Sequence, residues 1–122
     1  MYFPASGWFA AFVLTLVVEV PIAVLLLRRA EPDLRRLVLL VVFANLVSHP
    51  LVWYVVPQLV LVGTPSYTLV AEAWAIAVEA LFYWVTIRGL SARCAIAVAV
   101  AANAASYLAG RLIGERWPDL FR

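Results

Sequence analysis

Apolar residues in this chain do not alternate with polar ones. They run on for about 20 residues at a time, and the charged residues collect in the gaps. The runs cover 7–27, 37–62, 67–87 and 94–113. As a helix rising about 1.5 Å per residue, each crosses a hydrocarbon core of about 30 Å. The pattern predicts membrane helices over about 7–28, 36–62, 67–88 and 93–113, followed by an interfacial tail over 114–122. The expected fold is all-α: one integral membrane domain spanning 1–122, built as a four-helix bundle.

Composition supports this class. Of 122 residues, 66% are hydrophobic and 13% charged, whereas about a quarter are charged in a typical soluble domain. The first run has no basic residues before it and is followed by Arg28 and Arg29, so it reads as a retained helix and not a cleaved signal peptide. Cys94 is the single cysteine, which excludes an internal disulfide and a thiolate metal cluster. A net charge of +2 and the lack of any glycine-rich phosphate loop give no sign of nucleic-acid or nucleotide binding, and no cofactor is expected.

The position of the charge matters more than its sum. Arg28, Arg29, Arg35 and Arg36 fill the first turn and Arg88 and Arg93 the third, while the loop between the second and third helices carries no charge. The positive-inside rule then places both termini outside the cytoplasm, in a membrane of the bacterial inner type. The tail arginines Arg111, Arg116 and Arg122 oppose that orientation. Trp8, Trp53, Tyr54 and Tyr67 are expected at the outer boundary, and Tyr83 with Trp84 at the inner one.

Against this background a few polar residues stand out. Glu19 lies nine positions before Arg28 and Glu79 nine before Arg88; Asn45 lies ten after Arg35 and Asn103 ten after Arg93. All sit roughly 13–15 Å from the arginine-bearing ends, near the midplane, one on each helix. The spacing also repeats: Ala44-Asn45-x-x-Ser48-His49 is matched by Ala102-Asn103-x-x-Ser106-Tyr107. The chain reads as two copies of one hairpin related by a pseudo-two-fold along the membrane normal. Pro21 and Pro50, present only in the first copy, should free the carbonyls of Val17 and Leu46 as further ligands. Ala102, Ser106 and Gly110 form a small-residue ridge that favours a central place for the last helix.

Carboxylates in hydrocarbon cost several kcal/mol when ionised and alone. Glu19, Glu79, Asn45, Asn103, Ser48 and Ser106 are therefore expected either to bind a proton or small cation or to join the helices through Glu–Asn hydrogen bonds. His49, Glu72 and Arg111 form a second layer nearer the outer face. They read as an outer approach, as a Glu72–Arg111 salt bridge with His49 capping it, or as a metal site of His49, Glu72 and Glu79 that lacks an HExxH-type spacing. Ser48 and Ser106 would serve as nucleophiles only beside an activated base, and otherwise bond back along their helix or across to another.

The leading reading is a small transporter or channel for a proton or small cation. A second is an intramembrane hydrolase or transferase, with Glu79 or Glu72 as base and His49 with an asparagine stabilising an oxyanion. A third is an accessory subunit whose polar layer only specifies helix pairing. The expected partners are the lipid bilayer and either a second copy of the chain or another membrane subunit.

Overall fold

The computed structural model describes residues 5–121; Arg122, the last of the tail arginines, lies outside them. Five helices follow one another: α1 (Ala5–Leu27), α2 (Leu34–Tyr54), the short α3 (Val56–Leu59), α4 (Pro65–Thr86) and α5 (Ala92–Arg116), with no strand among the described residues. Four spans are long and apolar enough to cross a membrane, α2 and α3 together counting as one.

Local chemistry sets the boundaries. Asp33 caps α2 by accepting from the backbone N–H groups of Arg35 and Arg36 at 3.1 and 3.2 Å, and Ser91 caps α5 by accepting from Cys94 N at 3.1 Å. Thr64 accepts from Tyr67 N at 3.2 Å, with Pro65 at the first helical position, where its missing N–H costs nothing. The second span differs from the uninterrupted helix expected over 36–62. Pro57 has no N–H to give to the Trp53 carbonyl, so α2 stops at Tyr54 and the chain restarts as α3. The last helix extends past the expected 113 to Arg116.

The long helices form a ring. Helix α1 packs on α2 and α5, and α4 packs on α2 and α5, while the diagonal pairs do not meet. Helix α5 is thus one corner of the ring and not its centre, as its small-residue ridge had suggested. A side chain at Gly110 would meet nothing within 4 Å, so that end of the ridge faces open space and not a neighbouring helix.

Large apolar side chains such as Val17, Leu25, Leu69, Val85 and Leu112 point outward, as a lipid-facing surface requires. The interior holds small and polar residues toward one end and larger apolar ones toward the other. Toward the arginine-bearing turns, Ala23, Leu27, Leu37, Val41, Tyr83, Ile87 and Val98 pack into a dry cluster. At that end Arg36 pairs with Glu31 and also donates from Nη2 to the Thr86 carbonyl at 2.9 Å, tying the α1–α2 turn to the end of α4.

Two expectations about this interior need correcting. Tyr83 is fully buried in the dry cluster and does not face outward as an interfacial belt residue would, and its hydroxyl has no hydrogen-bond partner among the described residues. Val17 is exposed and Leu46 partly so, and neither lines the cavity described below, so the carbonyls freed by Pro21 and Pro50 are not offered to Glu19 or Asn45.

Candidate functional site

Above the dry cluster the ring encloses a cavity of about 330 Å³. Its floor is the level of Glu19, Asn45, Glu79 and Asn103. From there it passes Ser48, Ser106, His49 and Glu72 and reaches Arg111. All nine polar residues singled out by position therefore face one space, at the end of the bundle away from the arginine-bearing turns.

The hydrogen bonds at the floor are reciprocal. Ser48 on α2 donates to Glu79 Oε1 on α4 at 2.8 Å, and Ser106 on α5 donates to Glu19 Oε1 on α1 at 2.6 Å. Both asparagines bond back along their own helices, Asn45 to Val41 O at 3.1 Å and Asn103 to Ala99 O at 2.9 Å. Asn103 also donates to Glu79 Oε2 at 2.6 Å. The counterpart of that last bond is looser. Asn45 lies within polar reach of Glu19, but no hydrogen bond of normal geometry reaches the buried Glu19 Oε2 among the described residues.

The two carboxyl groups thus differ in state. Glu79 has both oxygens satisfied and joins α2, α4 and α5. Glu19 is equally buried and has one oxygen idle. A buried acceptor left without a partner costs about 1–3 kcal/mol. Each serine has one O–H and directs it across helices to a carboxyl group, with the carbonyls of Asn45 and Asn103 on its own helix farther off at 3.5 and 3.1 Å, which matches the interhelical bonding expected of them.

The second layer differs from the expected salt bridge. Arg111 is exposed and pairs with Glu115 at 3.2 Å. Glu72 is half-buried, with no ion-pair or hydrogen-bond partner among the described residues. His49 caps neither of them. Its ring lies among aromatic neighbours, 5.3 Å from Phe12, 6.1 Å from Trp8 and 6.1 Å from Trp53, and its buried Nε2 has no partner. Among the described residues, no three His, Cys, Asp or Glu side chains converge as metal ligands, so His49, Glu72 and Glu79 do not form the metal site considered above.

Some lining residues escaped the sequence reading. Thr15 lies one helical turn before Glu19, and that spacing was the available signal. Phe121, expected in an interfacial tail, folds back so that its ring lies 3.6 Å from where a Cβ on Gly114 would stand, and it joins the cavity rim. Trp117 remains exposed, as an interfacial anchor would be. No protein-family model, curated protein or solved structure matches this chain, so the chemistry of the site rests on its own residues.

Proposed function

We propose that this chain is a small membrane transporter or channel that binds a proton or small cation at Glu19, and that Glu79 is the fixed acceptor holding the site together. The observation that carries this reading is the idle Glu19 Oε2, buried at the floor of a cavity lined by three carboxylates. A proton or cation there offsets the cost of burying that group. The closed cluster beneath the floor supports an alternating-access cycle over a continuously open pore.

The reciprocal Ser48–Glu79 and Ser106–Glu19 bonds support two related hairpins whose serines exchange partners across the pseudo-two-fold. With the arginine-bearing turns in the cytoplasm of a bacterial inner membrane, the cavity opens outward. The enzyme reading fits less well with Glu79 as its base, because both oxygens of Glu79 already accept internal hydrogen bonds; Glu72, the other candidate base, has no such partner among the described residues.

The test is reconstitution into liposomes holding a pH-sensitive dye, with outward and inward gradients of inorganic and small organic cations. Wild-type protein should carry a flux that Glu19→Gln abolishes without loss of helicity. Equal flux in wild type and Glu19→Gln, or none with any cation, overturns the reading.

A further inference from the structure

Glu72 identifies the kind of cation. It precedes Glu79 by seven residues on α4, which places it on the same helix face about 10 Å nearer the mouth. It lines the same cavity as Glu19, and Arg111, the arginine at that cavity, is engaged by Glu115. Two carboxylates at different depths are thus left without a protein cation. Between the levels one part of the wall is apolar, from Leu14, Val52 and Ala75, beside the polar Thr15, Ser48, His49 and Ser106.

Size argues against a bare inorganic ion. The cavity of about 330 Å³ is an order of magnitude larger than the roughly 30 Å³ taken by one water. A hard metal cation wants six or more oxygens at about 2.3–2.6 Å; at the floor both Glu79 oxygens and one of Glu19 are already taken by internal hydrogen bonds, and among the described residues no three acidic or histidine side chains converge. A chain-like cation fits the same features. Its methylenes would lie on the apolar wall, and its charged ends would meet the two acids. An ammonium brings three N–H donors and no acceptor, which suits Glu19 Oε2, an acceptor that lacks a donor.

We propose that the cargo is a linear aliphatic diamine or triamine, bound along the cavity with one ammonium on Glu19 and another on Glu72. This rests on the cation-binding reading above and narrows it. Charge-assisted N–H···O bonds of about 2.8 Å at each end, spanning levels about 10 Å apart, call for ammonium groups about 5–10 Å apart. A monoamine of similar length satisfies Glu19 only.

The test is isothermal titration of the full chain in uncharged detergent with putrescine, spermidine and butylamine. Wild-type protein should bind at least one of the two polyamines about tenfold tighter than butylamine, the gain of one further charge-assisted contact. Glu72→Gln, a near-isosteric change on a half-buried wall, should remove that preference and leave butylamine affinity in place. Glu19→Gln should abolish binding of all three.

Equal affinities in wild type, or a preference that survives Glu72→Gln, overturns the diamine assignment. Absence of amine binding alongside a Glu19-dependent flux of protons or inorganic cations overturns this inference and leaves the cation reading standing. Absence of both binding and flux overturns both.

Discussion

Truncating Glu79 and truncating Glu19 to alanine should have very different effects on stability, although the residues are equally buried and match in position. Glu79→Ala removes two interhelical hydrogen bonds, from Ser48 and from Asn103. At about 0.6–1.7 kcal/mol each inside a membrane protein, with about 1 kcal/mol for lost packing, the cost is about 2–4 kcal/mol. Glu19→Ala removes one such bond, from Ser106, and a similar amount of packing. It also relieves the idle Oε2, worth about 1–3 kcal/mol in the opposite direction. The net change should lie within about 1.5 kcal/mol of zero.

Glu79→Gln should be tolerated within about 1 kcal/mol. Its amide oxygen accepts from Asn103 and its NH₂ donates to the Ser48 hydroxyl, which can act as an acceptor. The assay is reversible unfolding in mixed micelles of a denaturing and an uncharged detergent, followed by circular dichroism. A Glu19→Ala cost equal to that of Glu79→Ala would refute the claim that Glu19 is under-satisfied. A Glu79→Gln cost as large as that of Glu79→Ala would refute the proposed hydrogen-bond arrangement.

The same logic extends to other positions. Tyr83→Phe deletes a buried hydroxyl without a partner and should be neutral or stabilising by up to about 2 kcal/mol in the same unfolding assay. Asn103→Ala should cost about 0.6–1.7 kcal/mol through the lost interhelical bond, while Asn45→Ala, whose bond is to its own helix, should cost less; the two variants compared side by side check the asymmetry. A Cβ at Gly110 would meet no neighbouring atom within 4 Å, so Gly110→Phe should leave stability within about 1 kcal/mol of wild type, while cation flux in liposomes is lost because the ring occupies the cavity that Gly110 lines.

Residue counting was informative about depth because each span is a helix of regular rise anchored at an arginine. It placed Glu19, Asn45, Glu79 and Asn103 at one level, and the structure puts them on one cavity floor. Helical periodicity likewise put Asn45, Ser48 and His49 on one face. Counting does not report how far each helix turns about its own axis. That rotation, set by packing around the ring, sends Val17 and Leu46 outward with their freed carbonyls and Tyr83 inward. Nor does it report which of two equivalent partners a side chain chooses. Asn103 bonds Glu79 at 2.6 Å while Asn45 approaches Glu19 without a bond of normal geometry to its Oε2, and the difference between the two carboxyl groups depends on that choice. The break at Val55 was legible in principle, since Pro57 removes a donor that a continuous helix needs.

Residue-resolved labelling with a hydrophobic carbodiimide, which modifies protonated carboxyls in apolar surroundings, tests the central claim most directly. The purified protein would be treated with and without each candidate cation and read by mass spectrometry. The account predicts that Glu19 is labelled, that Glu79, engaged by two donors, is labelled far less, and that a bound cation suppresses labelling at Glu19. Equal labelling of the two residues, unaffected by any cation or amine, would contradict it and reduce the polar layer to a device for pairing helices.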